Sequence, residues 1–287
     1  MKTVAFIGLG VMGSRMANRI IDAGYQLQVY EVFREKAQPL IDKGARFCDT
    51  ISEVSNNADA VISMLGYPKD VESVYFGESG VINSAAPGTL IIEMTTSSPS
   101  LANMIYFAAK EKGIYALDAP VSGGDVGAQS GKLSIMVGGD EDAFEMAKPL
   151  LDIMGSTVTL CGRAGMGQNT KMANQIAVAC NVSAVAEAFA YAKATGLDPE
   201  VMFRCVCGGA GSSWQMNVMA PKMIAGDDSA GFFIRHLIKD MDIALQEANQ
   251  YGRALPLLSK AREMFGKLAE NGMENCGTQA IYHYYDE

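Results

Sequence analysis

A glycine-rich hexapeptide near the N terminus constrains the fold more than any other feature of the chain. It reads G-x-G-x-x-G and comprises Gly8, Leu9, Gly10, Val11, Met12 and Gly13. The motif follows an apolar, strand-like run and opens an amphipathic helical pattern. In that context the first glycine permits a tight turn, the second lets the backbone approach a pyrophosphate, and the third allows close helix packing. The motif predicts a dinucleotide-binding βαβ unit; the alternative is a glycine turn without a ligand.

The first half of the chain alternates short apolar runs with amphipathic stretches, which is typical of a parallel sheet covered by helices. Strands are predicted at residues 3–8, 26–30, 60–65, 89–93, 114–118, 133–137 and 157–161. Helices are predicted at 12–23, 33–43, 99–112 and 141–154. We therefore expect an α/β fold in which residues 1–162 form a doubly wound, Rossmann-type domain that binds a dinucleotide.

Beyond residue 162 the strand pattern disappears. Residues 170–195 contain neither Pro nor Gly, which predicts one helix of about 26 residues and about 39 Å. Its middle is apolar on nearly every face, so we expect it to be buried on most sides as a central helix. Further helices are predicted at 198–207, 234–251 and 256–271. Residues 163–287 are thus expected to form an all-helical domain for substrate binding and oligomerisation.

Composition and charge exclude several classes of function. The formal net charge is -9 and no run of Lys or Arg interrupts it, so neither nucleic acid nor an anionic membrane is an expected partner. The N-terminal apolar stretch is too short for a signal peptide or a membrane span, and we expect a cytoplasmic protein. The six cysteines are scattered and only two histidines occur. Cys205 and Cys207 lack a second pair, so no metal site is expected.

The residue that ends the second predicted strand bears on the choice of cofactor. Glu31 lies eighteen residues after Gly13, where an acidic side chain accepts hydrogen bonds from the adenosine ribose. A carboxylate there would oppose the 2′-phosphate of NADP, and burying two like charges costs several kcal/mol. The pattern favours NAD. The alternative is that Glu31 is an ordinary exposed charge and Arg34 binds the phosphate of NADP.

A lysine at the start of the long helix is the candidate proton-transfer group. We place Lys171 in the first turn, where the helix dipole and apolar surroundings disfavour the ammonium form. Asn174 and Gln175 follow at i+3 and i+4, so all three side chains share one face. The alternative is a solvated helix start with Lys171 directed to water.

Polar and small residues also follow the predicted strands at the sheet edge where open α/β sheets bind ligands. Ser122, Gly123 and Gly124 come after the strand ending at Asp118 and can bind a carboxylate, or they form a bare turn. Leu65 and Thr95, at the ends of two other strands, are expected to contact the cofactor. Thr95 and the residues after it equally suit a cap for the next helix.

Four segments, residues 6–13, 118–124, 165–175 and 239–240, together resemble the four motifs of the β-hydroxyacid dehydrogenases, and the resemblance covers essentially the whole chain. That family includes 3-hydroxyisobutyrate dehydrogenase and tartronate semialdehyde reductase. The resemblance implies a homo-oligomeric NAD-dependent enzyme, without a metal, that interconverts a short 3-hydroxy acid and its semialdehyde. Two alternatives stay open: an NADP-preferring semialdehyde or glyoxylate reductase, and a non-catalytic NAD-binding sensor.

The same resemblance implies roles for individual residues. Lys171 would be the catalytic lysine, and Lys239 would close over cofactor and substrate. The implied substrate-binding residues are Ser122, Gly123, Gly124, Asn174 and Gln175. Gln175 departs from the second asparagine common in many members, which leaves the substrate open. The single tryptophan, Trp214, either lines the substrate pocket or packs in a core.

Overall fold

The computed structural model describes residues 1–286, and the chain divides into two compact units, Met1–Lys171 and a second unit from Met172 onward. The first unit contains one nine-stranded sheet. Its strands are β1 Thr3–Ile7, β2 Gln26–Tyr30, β3 Arg46–Phe47, β4 Ala60–Ser63, β5 Leu90–Glu93, β6 Tyr115–Asp118, β7 Val121–Ser122, β8 Leu133–Gly138 and β9 Gly155–Gly162.

Helices cover the sheet and make up nearly all regular structure of the second unit. The α-helices are α1 Val11–Asp22, α2 Gln38–Ile41, α3 Ile51–Ser55, α4 Pro68–Phe76, α5 Val81–Ser84, α6 Pro99–Glu111, α7 Gly124–Ser130, α8 Glu141–Met154, α9 Met166–Thr195, α10 Pro199–Val206, α11 Trp214–Ala225, α12 Ile234–Gln250 and α13 Pro256–Leu268. Two 3₁₀ segments, Arg34–Ala37 and Thr278–Tyr285, and one π-helical segment, Ala269–Met273, complete them.

The strand order confirms the predicted doubly wound α/β class. The sheet runs β3-β2-β1-β4-β5-β6-β8-β7, with β9 pairing to β8. The first six strands in that order are parallel, whereas β8 is antiparallel to both β6 and β7. Every residue of β4 and β5 is buried, as expected for parallel strands with helices on both faces. The carboxyl ends of β1, β4, β5 and β6 therefore meet at one edge.

Several short elements were absent from the sequence prediction. Strands β3 and β7 have two residues each, which is too short for a periodic pattern to appear. The predicted helix 33–43 is instead a 3₁₀ turn followed by the four-residue α2. Helix α11 was missed although it has twelve residues, because Pro221 lies inside it and a glycine-rich stretch precedes it.

The long helix corrects two expectations. It begins at Met166, so Lys171 lies in its second turn rather than its first. It is also less buried than its composition predicted, because one stripe along it is exposed. The exposed stripe includes Ala173, Ala177, Asn181, Ala184, Glu187 and Tyr191. The helix is long and apolar enough to cross a membrane by length and composition alone, a test that core helices of soluble proteins also pass.

The opposite side of α9 forms the core of the second unit. Val182, Val185 and Phe189 pack in one buried cluster with residues of α11, α12 and α13. Trp214 is not part of that cluster: it is the first residue of α11 and 59% exposed. A core role for Trp214 is therefore wrong.

Candidate active site

Within the glycine motif, the fold requires glycine at Gly8 and Gly13, whereas a side chain at Gly10 would meet no neighbouring atom. A Cβ on Gly13 would lie 2.0 Å from the Gly8 carbonyl oxygen, and Gly8 itself has a φ of +92°. At Gly10 a Cβ would meet nothing within 4 Å. Gly10 caps α1, and no side chain accepts a hydrogen bond at that helix end. The exposed backbone at a helix N terminus fits the pyrophosphate of a dinucleotide.

Glu31 is held at the end of β2 by backbone groups. Its carboxylate accepts hydrogen bonds from the N–H of Leu9 at 2.7 Å and the N–H of Phe33 at 3.3 Å, and its side chain is only 10% exposed. The Arg34 guanidinium instead lies 4.4 Å above the ring of Phe47 and 3.6 Å from Asp49. The acidic group is thus fixed beside the glycine motif, while Arg34 is directed toward another strand.

Thr95 joins the ends of two neighbouring strands. Its hydroxyl accepts a hydrogen bond from the N–H of Leu65 at 2.8 Å, and its own N–H donates to the Glu93 carboxylate at 2.8 Å. Its carbonyl oxygen accepts from the Gln168 side chain at 2.7 Å. Thr95 is buried. These bonds fix the loops that follow β4 and β5 against the first turn of α9.

Two buried polar residues, to which the sequence assigned no role, organise this edge. Gln168 is fully buried, and its side-chain oxygen accepts from the N–H of Ser97 at 3.0 Å. Asp118 accepts from the N–H groups of Gly165 at 2.7 Å and Gln168 at 2.8 Å, so its carboxylate caps α9. Burial raises the pKa of Asp118, and these two donors oppose the rise. Asp118 is a polar residue at the end of a buried strand, which the sequence pattern indicates, whereas Gln168 lies in α9 and has no such signal.

Two glycines explain why α9 begins earlier than predicted. Gly165 has a φ of +82°, and a Cβ on Gly167 would lie 2.4 Å from the Met136 carbonyl oxygen and 2.6 Å from that of Asp118. The first turn of α9 therefore lies directly against the backbone of β6 and β8. Glycine is unfavourable inside helices, which is why the pattern placed the helix start later.

Lys171 is brought to the same sheet edge. Its side chain is buried, with 6% of the residue exposed, so the alternative in which it points to water is wrong. The ammonium donates a hydrogen bond to the Val121 carbonyl oxygen at 2.8 Å. Ser122 follows directly and is half-buried, and Gly123 and Gly124 have φ values of +130° and +64°. The first unit thus gathers Lys171 and the predicted carboxylate-binding segment.

The second unit contains the other predicted site residues, linked by hydrogen bonds. The Asn174 amide donates to the Gln175 side-chain oxygen at 2.7 Å. The Gln175 amide donates to the Asp240 carboxylate at 2.5 Å, and the Lys239 ammonium lies 2.9 Å from the other oxygen of Asp240. Of these four residues, Asp240 is the one to which the sequence analysis assigned no role, although it belongs to one of the four motifs.

Two models of known protein families match this chain. Residues 3–162 match the model for the NAD binding domain of 6-phosphogluconate dehydrogenase, and residues 165–285 match that for the NAD-binding domain of NADP-dependent 3-hydroxyisobutyrate dehydrogenase. The chain therefore carries NAD(P)-binding domains of these two kinds.

Individual relatives extend over nearly the whole chain. The uncharacterized oxidoreductase YkwC of Bacillus subtilis (strain 168) is 51% identical, covering 98% of both chains. The 2-hydroxy-3-oxopropionate reductase of Escherichia coli (strain K12) is 40% identical, covering 94% of this chain and 92% of the reductase. The structure of Mycobacterium tuberculosis 3-hydroxyisobutyrate dehydrogenase with L-serine has a TM-score of 0.91 at 32% identity, covering 99% and 98%. Sequence motifs, family models and relatives thus agree that this chain belongs to the β-hydroxyacid dehydrogenase family.

Proposed function

We propose that this NAD(P)-dependent hydroxyacid oxidoreductase uses NAD to interconvert a short 3-hydroxy acid and its semialdehyde, with Lys171 as general acid and base. The observation that supports this most is the buried Lys171 ammonium, held 2.8 Å from the Val121 carbonyl oxygen and beside a segment of small residues suited to a carboxylate. A buried, hydrogen-bonded lysine at the ligand-binding edge of an α/β sheet is a strong candidate for proton transfer.

The chemistry divides between the cofactor and the protein. Bound NAD supplies the hydride acceptor, carbon 4 of its nicotinamide ring. In the oxidation direction, neutral Lys171 accepts the proton of the substrate hydroxyl as the carbonyl forms. In the reduction direction, the Lys171 ammonium polarises the carbonyl and returns that proton. Ser122 and the backbone of Gly123 and Gly124 hold the substrate carboxylate. Asn174, Gln175 and Lys239 assist substrate binding.

The cofactor is proposed to lie along the glycine motif. Its binding residues are Gly8, Leu9, Gly10, Val11, Met12, Gly13, Glu31, Leu65, Thr95 and Lys239. The open backbone at Gly10 and the fixed Glu31 carboxylate support that placement. No metal takes part in the proposed chemistry.

NAD is expected to exceed NADP in kcat/KM by at least about tenfold, or 1.4 kcal/mol. The reason is the Glu31 carboxylate, which is held in place by Leu9 and Phe33 and would repel a 2′-phosphate. Initial rates with each cofactor, at a fixed concentration of the same hydroxy acid, measure the ratio. Equal efficiency or an NADP preference would contradict the assignment.

A pair of variants ties that preference to the single carboxylate. Glu31→Ser should lower the ratio of kcat/KM with NAD to kcat/KM with NADP, because it removes the repulsion between the carboxylate and the 2′-phosphate. Glu35→Gln removes an exposed acidic charge four residues away and should leave the ratio unchanged. If both variants shift the ratio alike, net charge rather than Glu31 determines the preference.

Ser122→Ala is expected to raise the substrate KM and to leave NAD binding unchanged. The hydroxyl contacts the carboxylate equally in the ground and transition states, so its loss weakens binding without altering kcat. Steady-state kinetics and NADH fluorescence titration measure the two effects. A normal KM would remove Ser122 from the site.

The experiment that tests the whole proposal is an absorbance screen of NADH and NADPH formation and consumption with short 3-hydroxy acids and semialdehydes. Turnover of a 3-hydroxy acid with NAD is the expected result. Cofactor binding without turnover on any member of the panel would favour the non-catalytic sensor. Faster turnover with NADPH and a semialdehyde or glyoxylate would favour the alternative reductase.

We further propose a cytoplasmic homo-oligomer, a dimer or tetramer, whose partner is a small carboxylate substrate rather than nucleic acid or a membrane. We propose a dinucleotide-binding domain of residues 1–162 and a domain of residues 163–287 for substrate binding and oligomerisation. Throughout the described residues the six cysteines are free thiols, which suits a reducing compartment.

A further inference from the structure

We infer that Asp240 and Gln175 are positioning residues that set which face of the Asn174 amide is presented to the substrate. The three side chains form one hydrogen-bonded chain, from Asn174 to Gln175 at 2.7 Å and from Gln175 to Asp240 at 2.5 Å. The inference rests on the proposed function, and it reassigns Gln175 from substrate contact to support.

The direction of the chain follows from the chemistry of its last member. An ionised carboxylate only accepts hydrogen bonds, so Asp240 requires Gln175 to turn its NH₂ group toward it. The Gln175 oxygen must then face the opposite way, toward Asn174. Asn174 in turn must offer its NH₂ group to that oxygen. One carboxylate therefore fixes the orientation of two amides that could otherwise each flip by 180°.

Burial makes this orientation strict. Gln175 is 3% exposed and Asp240 is 2% exposed, so water cannot replace a misdirected bond without cost. Gln175 lies in α9 and Asp240 lies in α12. The hydrogen bond between them fixes both side chains. Gln175 has a bond at each end of its amide and is almost inaccessible, which suits a connector better than a ligand contact.

Asn174 is the member placed to meet a ligand. It is half-buried, and donating one N–H to Gln175 leaves the other N–H and the carbonyl oxygen as hydrogen-bonding groups. A short hydroxy acid carries both a donor, its hydroxyl, and an acceptor, its carboxylate. A flipped Asn174 would exchange donor and acceptor positions and mismatch such a substrate.

Lys239 lies beside the same carboxylate. Its ammonium lies 2.9 Å from Asp240 and its side chain is 12% exposed. An opposite charge at this distance offsets part of the cost of burying an ammonium group. Asp240 thus positions Asn174 through Gln175, without touching the substrate itself.

The test is a charge exchange between the two connected positions. Gln175→Glu sets two carboxylates against each other, and kcat/KM at pH 8 should fall at least about tenfold, mainly through KM. The double variant Gln175→Glu/Asp240→Asn restores a donor and an acceptor in reversed order and still accepts from Asn174. It should return to within about threefold of the natural protein.

The pH profile separates positioning from simple loss of stability. Two carboxylates in contact share a proton, so Gln175→Glu should regain activity as pH falls and the pair becomes protonated. The double variant should show the profile of the unsubstituted enzyme. NADH affinity, from fluorescence titration, should be unchanged in both.

Gln246→Glu makes the same chemical change at an exposed position of α12 and serves as the matched control, with unaltered kinetics expected. If Gln175→Glu does not fold, Asp240→Asn alone should raise KM at least about threefold, since the two amides then lose their fixed direction. Wild-type kinetics in the single variants, or no recovery in the double variant, would overturn the inference. Absence of turnover by the unsubstituted enzyme on every hydroxy acid would instead overturn the proposed function.

Discussion

Lys171→Ala is expected to lower kcat by about 10²-fold or more, since positioned proton transfer contributes about 10²–10⁴-fold in enzymes. NAD affinity should barely change, because the side chain is proposed to contact the substrate hydroxyl rather than the dinucleotide. In the unsubstituted enzyme the oxidation rate should rise with pH as Lys171 loses its proton, and the reduction rate should fall. Both dependences should weaken in the variant. Steady-state rates in each direction across a pH series measure them.

Two further variants make that prediction specific. Lys171→Arg should not restore the rate, because a guanidinium stays protonated and cannot act as a base. Lys193→Ala removes an exposed lysine from the same helix and should keep kcat. A Lys171→Ala enzyme with near-normal kcat and an unaltered pH profile would make Lys171 a structural residue.

Gly13→Ala is expected to lower the stability of the protein, whereas Gly10→Ala is expected to weaken NAD binding. A methyl group at Gly13 would lie 2.0 Å from the Gly8 carbonyl oxygen, and the backbone there cannot move aside, so we expect a loss of about 3 kcal/mol in unfolding free energy. At Gly10 the added methyl group meets nothing within 4 Å. Its φ of -67° suits alanine, and stability should be unchanged.

Gly10→Ala, although stable, should bind NAD more weakly than the unsubstituted protein. The methyl group would occupy the open space proposed for the pyrophosphate, and we expect NAD affinity to fall at least about tenfold. Chemical denaturation and NADH fluorescence titration on both variants provide the comparison. Normal NAD affinity in a stable Gly10→Ala protein would place the dinucleotide elsewhere.

The local patterns of this chain predicted its fold class and part of its candidate site. The alternation of buried strands with amphipathic helices is repeated along the first half, and each strand needs only its own residues to show it. Strand β2 and helix α8 agree with their predicted bounds. The glycine motif and Lys171 could also be recognised from the sequence, because each belongs to a motif with fixed spacing along the chain.

The hydrogen-bonded supports of the site were not predictable in this way. Gln168 contacts Ser97, and Gln175 contacts Asp240, 71 and 65 residues away along the sequence. No spacing rule connects such positions. A buried amide is recognised as a connector only when both of its partners are known.

The amino-acid sequence by itself determined the doubly wound sheet, the all-helical second half and the identity of the candidate lysine, because hydrophobic periodicity and motif spacing are local properties. Only the tertiary structure decided which face of α9 is exposed, where that helix begins, and which carboxylates cap or orient the polar residues. Alanine-rich faces such as that of Ala173 and Ala177 are compatible with burial and with exposure alike. The start of α9 depends on Asp118, whose carboxylate reaches Gly165 from a distant strand.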